Sequence, residues 1–266
     1  MVQVCNYSEL LRLIASVRDL RQGFLTNFYP DEIKHNIWIR YGVLYYEWID
    51  SVLFLFKENS NFRNLFYCAP SQYQLANALQ EIKNDKCTIT DLVGKKEQCQ
   101  QLELFFLHAG FINYSKLVRM SRMTSQSNFS MPDRLSRVAE IKETDEIVDL
   151  LQKYFDPRAE QIPFLEEICS LIKQGNVIVR TDREKIIGFL IYELTKSTLY
   201  LRYWFVHPDY RDQKVGSSLM SRFFYEGRET RRQLFWVICN NENAIKRYRH
   251  YGFETENLYD QILKIE

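Results

Sequence analysis

A polar, serine-rich stretch near the middle, Thr124-Ser-Gln-Ser-Asn-Phe-Ser-Met-Pro-Asp133, constrains this chain more than any other feature. It separates two segments with strong hydrophobic periodicity, and clustered Ser and Asn with a Pro are loop chemistry. A length of 266 residues suits one large domain or two modest ones. We therefore expect domains at 1–123 and 134–266.

Both halves read as mixed α/β, with strands of period two and helices of period 3.6. In the second half, Arg134–Lys142 reads as a strand, and Glu143–Phe155 and Glu160–Gln174 as helices. Gly175 fits the end of the latter. Strands are expected at Val177–Thr181, Ile186–Leu194 and Thr198–Val206. A charged loop, a helix Gly216–Arg231, a strand Gln233–Cys239, a helix Asn241–Tyr251 and a strand Leu258–Ile265 complete it. The first half follows a similar plan. Helices are expected at Tyr7–Leu20, Ser71–Lys83 and Lys95–Leu107. Strand-like stretches are Ile37–Tyr41, Val43–Ile49, Val52–Phe56, Leu65–Ala69, Cys87–Val93 and Tyr114–Met120. The ends match residue by residue: Phe106-Leu-His-Ala-Gly-Phe111 aligns with Tyr248-Arg-His-Tyr-Gly-Phe253. With the shared element order, this indicates a duplicated fold.

Composition excludes several classes. At 46% apolar and 15% aromatic residues, the chain carries a core and is not disordered. The net charge of +1 gives no general pull on nucleic acid or anionic membrane. No apolar run reaches the ~20 residues of a membrane helix. The start shows no basic segment followed by an apolar stretch, so no signal peptide is expected and the cytoplasm is the default. Six cysteines without a Cys-x-x-Cys pair and four scattered histidines argue against a metal site.

The segment Val206-His-Pro-Asp-Tyr-Arg-Asp-Gln-Lys-Val-Gly-Ser-Ser-Leu219 joins a strand to a helix. Backbone N–H groups at a helix start lack partners and, with the helix dipole, favour an anion such as phosphate. Gly216 permits close backbone approach. Ser217 and Ser218 offer hydroxyls, and Arg211 and Lys214 add positive charge.

This stretch resembles the acetyl-CoA pyrophosphate loop of the GCN5-related N-acetyltransferase (GNAT) superfamily. There a strand ends in Val-x-Pro, followed by Arg-x-x-Gly-x-Gly and an apolar helix. Val206, Pro208, Arg211, Gly216 and Leu219 match, while Lys214 replaces the first glycine. Asn241-Glu-Asn-Ala-Ile-Lys-Arg-Tyr-Arg-His-Tyr-Gly-Phe253 is similar to the family's last helix, Asn-x-x-Ala-x-x-x-Tyr-x-x-x-Gly-Phe. On this resemblance, each half is an acyl-CoA N-acyltransferase-like domain with a mixed, mostly antiparallel sheet flanked by helices. The first half lacks the cofactor loop.

The resemblance implies an N-acetyltransferase that passes an acetyl group from acetyl-CoA to a primary amine by direct attack. Residues implied for the cofactor are Phe205, Val206, Arg211, Asp212, Gln213, Lys214, Val215, Gly216, Ser217, Asn241 and Ala244. Tyr248 is implied as proton donor to the departing thiolate, since a phenol of pKa ~10 suits that task. No carboxylate lies on the strand before the loop. Glu193 on the preceding strand is the substitute base, with His207 behind it. Tyr200, Arg202 and Tyr203 are candidates for the acceptor, a small molecule or peptide amine. Plain alternation puts Tyr200 and Arg202 on one face with Trp204, and Tyr203 on the other. Two alternatives stand beside this reading: a degenerate member that binds without turnover, and an aminoacyl transferase using charged tRNA.

Overall fold

The computed structural model describes residues 1–83, 85–124 and 131–266. The linker expected at 124–133 falls largely outside the described residues. The chain forms two compact units. Unit 1 comprises Met1–Leu117 with Asn257–Glu266, and unit 2 comprises Val118–Glu256. These ranges differ from the expected 1–123 and 134–266. Two long strands, introduced below, each pass from one unit into the other, and a change of unit inside a strand leaves no mark in composition.

Unit 1 runs β1 (Val2–Gln3), α1 (Tyr7–Asp19), β2 (Leu25–Thr26), α2 (Glu32–Arg40), β3 (Leu44–Ile49), β4 (Val52–Glu58), β5 (Arg63–Ala69), α3 (Gln72–Leu79), β6 (Thr88–Gly94), α4 (Lys96–His108) and the start of β7 (Ile112–Met123). Every residue of β5 is buried, as are Val52–Lys57 of β4, because the sheet is covered on both faces. The strand expected at Ile37–Tyr41 is instead the end of α2. Local capping overrides the β-branched residues there: Asp31 accepts from the Lys34 N–H at 2.8 Å, and His35 Nδ1 accepts from the Asp31 N–H at 2.9 Å. Burial lowers the His35 pKa to about 4, so the ring stays neutral against Phe28.

Unit 2 runs β8 (Ser136–Val138), α5 (Thr144–Tyr154), α6 (Leu165–Lys173), β9 (Val177–Asp182), β10 (Lys185–Thr195), β11 (Thr198–Val206), α7 (Val215–Glu226), β12 (Arg232–Ile238), α8 (Glu242–His250) and the start of β13 (Glu254–Ile265), whose remainder belongs to unit 1. The expected strand Arg134–Lys142 shrinks to β8 and a short 3-10 turn at Ile141–Glu143. The helix expected from Glu160 starts only at Leu165. Pro163 has no N–H to give, and the Phe164 N–H is taken by the Glu167 carboxylate at 2.8 Å. Residues 156–164 therefore form a turn ahead of α6.

The duplicated plan is visible inside each unit. In unit 1, β5 and β6 run parallel and pair only at Arg63–Thr88 and Asn64–Ile89. In unit 2, β11 and β12 run parallel and pair only from Thr198–Arg232 to Tyr200–Leu234. Beyond those points the strands part. The helix after each second strand closes identically. Gly110 and Gly252 take left-handed φ values of 92° and 80°, and the Phe111 and Phe253 N–H groups return to the carbonyls of Phe106 and Tyr248.

Candidate active site in unit 2

The loop after β11 delivers an open helix start. Lys214 is the N-cap of α7 at φ 60°, and no side chain caps that helix. The first intrahelical bond is Ser218 N–H to the Lys214 carbonyl, so the N–H groups ahead of it point out of the helix. A side chain at Gly216 would meet Trp204 Cζ2 at 3.0 Å, which explains the bare residue. The two serines diverge. Ser217 Oγ lies 3.4 Å from the Tyr251 hydroxyl, whereas Ser218 turns inward to Asp133 at 2.8 Å. Arg211, Asp212, Gln213 and Lys214 are exposed and Val215 is buried. The left-handed φ at Lys214 accounts for the glycine in the family pattern. Lys214→Gly should raise stability by roughly 0.5–1.5 kcal/mol, read from chemical denaturation, by removing that backbone strain.

The parted strands form a V beside this helix start. Pairing to β12 stops at Tyr200, so the β11 edge through Phe205 and Val206 faces the gap while its other edge is held by β10. The Tyr248 ring packs on Phe235 of β12 at 4.0 Å and on Trp204 of β11 at 5.5 Å, so it covers the gap. Burial pushes the Tyr248 phenol above its ordinary value, Arg247 opposes the rise, and Glu160 adds to it. Asn241 caps α8 by accepting from the Ala244 N–H at 3.1 Å, so its carboxamide is spent on the helix that carries Tyr248. Trp204 Nε1 is buried and has no acceptor among the described residues.

A β-bulge decides the other side of the site. In the β10–β11 register, Ile191 opposes Tyr203 and Tyr192 opposes Leu201, so Arg202 is the extra residue. The bulge reverses the alternation. Leu199 lies against Gly227 just past α7, whereas Tyr203 and Phe205 join the core formed with α5 and α6. Tyr200 and Arg202 thus share the face of Tyr203, opposite Trp204, which corrects the grouping that plain alternation gives.

On that face, Arg202 Nη1 donates to Glu193 Oε1 at 2.7 Å. Glu193, the substitute base expected from the sequence, is held in this ion pair. Tyr203 instead donates to the Gln161 carbonyl at 2.8 Å and anchors the turn before α6. The neighbouring Glu160 was hidden in the sequence, because residues 160–174 read as one helix. The signal that marks it as a turn residue is Pro163. His207 is taken up by Tyr154, whose hydroxyl lies 3.4 Å from Nε2. Among the described residues no group of three or more His, Cys, Asp or Glu could hold a metal ion. None of the described helices is long and apolar enough to cross a membrane.

Unit 1 has the V but not the site. Its gap is bridged by Asn27, whose side chain accepts from the Tyr67 N–H of β5 at 2.8 Å. The same side chain donates to the Asp91 carbonyl of β6 at 3.0 Å and to Thr90 Oγ1 at 3.2 Å. β2, just before it, pairs with the end of β5. Helix α3 is capped by Ser71 Oγ on the Gln74 N–H, and Phe106 stands where unit 2 has Tyr248. Asn27→Ala removes the hydrogen bonds that tie the Tyr67 N–H and the Asp91 carbonyl of the parted strands together. We expect a loss of about 2–4 kcal/mol of stability, measured by denaturant unfolding.

The profile of the acetyltransferase (GNAT) domain matches residues 173–255. These hold the V, the loop, α7 and α8. Unit 2 contains a GNAT domain. A tandem GNAT protein from the clavulanic acid biosynthesis pathway superposes with a TM-score of 0.62 at 10% identity, over 100% of this chain and 97% of its own. A GCN5-related N-acetyltransferase from Sphaerobacter thermophilus gives 0.58 at 14% identity, over 98% and 92%. A GNAT-family acetyltransferase from Colwellia psychrerythraea gives 0.56 at 13% identity, over 98% and 97%. At these identities the likeness is one of fold, and the fold is that of tandem GNAT domains. No curated protein matches the chain at the sequence level.

Proposed function

We propose that the GNAT domain of unit 2 transfers an acetyl group from acetyl-CoA to a primary amine, carried by a small molecule or a peptide, by direct attack. The observation that carries this reading is the uncapped start of α7 beside strands that part, with Tyr248 across the gap. Outward N–H groups after Lys214, with Arg211 and Lys214 nearby, suit a pyrophosphate. The free edge of β11 at Phe205 and Val206 suits an amide-bearing arm, and the orphaned Trp204 Nε1 is a donor that a bound ligand would satisfy. Acetyl-CoA supplies the activated acyl group.

The protein's part is positional and protonic. Phe205 and Val206 orient the acyl arm through their main chain. Tyr248, kept protonated by burial, gives its proton to the sulfur as the thioester opens. Tyr200, Arg202 and Tyr203 line the acceptor side. The pairing of Arg202 with Glu193 is the observation that favours the second reading, a protein that binds acyl-CoA without turnover. The compartment we propose is the cytoplasm, with no nucleic acid or membrane partner.

Thermal shift separates these readings. Acetyl-CoA and desulfo-CoA should each raise Tm by mass action, about 2.7 kcal/mol of stabilisation at a hundredfold excess over Kd. Charged tRNA should not. Release of free CoA thiol on adding amines then distinguishes transfer from binding. No Tm shift at millimolar acetyl-CoA would overturn the proposal.

A further inference from the structure

We infer that the acceptor in unit 2 is an amine that also carries a carboxylate, and that Arg119, beside Trp236, binds that carboxylate. This rests on the transferase reading above and names the acceptor class which that reading left open.

Strand register places both residues. Tyr200 of β11 and Leu234 of β12 form the last pair before the strands part. Leu234 and Trp236 are two apart on β12, so they share a face, and it is the face of Tyr200 and Arg202. The opposite face carries Phe235, whose ring packs on Tyr248. Trp236 is therefore the first residue of the open β12 arm on the acceptor side, and Arg202 holds the corresponding place on the β11 arm. Trp236 is half-buried. Arg119 reaches it from β7, the next strand, with Cζ 5.9 Å from the centre of an indole ring.

The charges beside Trp236 do not balance. Arg119 donates from Nε to Glu256 Oε2 at 2.8 Å, and its Nη2 lies 2.7 Å from the same oxygen. Arg232 takes the other oxygen, Oε1, and also lies 3.4 Å from Ser121 Oγ. Two guanidinium groups thus share one carboxylate, and the cluster keeps one positive charge in surplus. By contrast, Arg202 and Glu193 on the β11 arm pair one to one and add no net charge. The Arg119 and Arg232 side chains are 25% and 34% exposed, so a solute reaches both. Among the described residues Arg119 Nη1 has no partner. Two of its nitrogens already fix this guanidinium, so little freedom is lost when the third donates to a carboxylate oxygen. The surplus charge repels a bare ammonium. An acceptor that brings its own carboxylate cancels that repulsion, and its apolar part rests on the indole.

The test uses the full chain, acetyl-CoA, and a panel of α- and ω-amino acids, each beside its own carboxamide. The carboxamide keeps the size and removes the charge. In the wild type the best acid should exceed its carboxamide in kcat/KM by roughly ten- to a hundredfold, the range of one hydrogen bond to a charged group. Arg119→Gln should erase most of that preference through KM, with acetyl-CoA affinity unchanged. Arg119→Lys should restore part of it, because lysine keeps the charge and loses the fork. Trp236→Ala should raise KM for acids and carboxamides alike, since it removes the platform and not the charge. A second readout needs neither turnover nor a variant. Calorimetric titration of the wild type saturated with CoA should show N-acetyl amino acids binding about tenfold or more tighter than their carboxamides. Equal handling of acids and carboxamides in both measurements, or a preference that survives Arg119→Gln, would overturn this assignment while leaving the transferase intact. A wild-type protein that binds neither acetyl-CoA nor CoA would overturn both.

Discussion

Tyr248→Phe should cut kcat by roughly 10²–10⁴-fold, about 3–5.5 kcal/mol of transition-state stabilisation, while Tm and acetyl-CoA affinity stay within error of wild type. The separation follows from the packing. The ring of Tyr248 contacts Phe235, Trp204 and Phe253, and phenylalanine keeps all three contacts. Among the described residues its hydroxyl has no protein acceptor whose loss would cost stability. The hydroxyl matters only while charge develops on sulfur, so its removal acts on the transition state and not on binding. Unit 1 supplies an internal control. Its equivalent residue, Phe106, sits at the same helix closure without the hydroxyl. Single-turnover measurements of CoA thiol release, beside melting curves, give both quantities. Wild-type turnover in the variant would leave thiolate release to solvent.

Gly216→Glu should abolish acetyl-CoA binding, by at least two orders of magnitude in Kd, or about 3 kcal/mol. Two effects add. The new Cβ meets Trp204 Cζ2 at 3.0 Å and forces the helix start or the indole to move. The carboxylate then occupies the field that would attract a pyrophosphate. The same charge suits a helix N-terminus in an empty protein, so it offsets part of the steric cost to folding. Gly216→Gln separates the two, because it keeps the bulk and drops the charge. Isothermal titration of all three proteins measures it. Unaltered affinity in Gly216→Glu would place the pyrophosphate elsewhere and remove the loop from the site.

Much of the site was legible in the chain because it is encoded locally. The α7 start needs a strand, a turn and a glycine within one short stretch, and Val206–Leu219 shows all of them. The α8 closure needs a glycine with left-handed φ between two aromatics, and both copies show it. Alternation placed β11 and β12, whose buried and half-buried residues take turns, while continuous apolar runs placed β9 and β10. It failed at Ile37–Tyr41, where a cap and a buried neutral histidine outweighed strand propensity.

Three features came only from tertiary structure. The bulge at Arg202 exists because β11 must match β10 while parting from β12, and no residue of β11 records that by itself. The Asn27 bridge joins groups about forty and sixty-four positions away, a separation that no local pattern encodes. Glu160 is an ordinary surface-type residue in the sequence. Its pKa rises to about 7 only because Pro163 keeps it out of α6, Tyr203 pins its turn, and burial withholds the water that would hold its charge. Local chemistry fixed where the acyl donor is expected to lie. The burial of Glu160 belongs to the fold, because desolvation and proximity across strands are properties of the packed molecule alone.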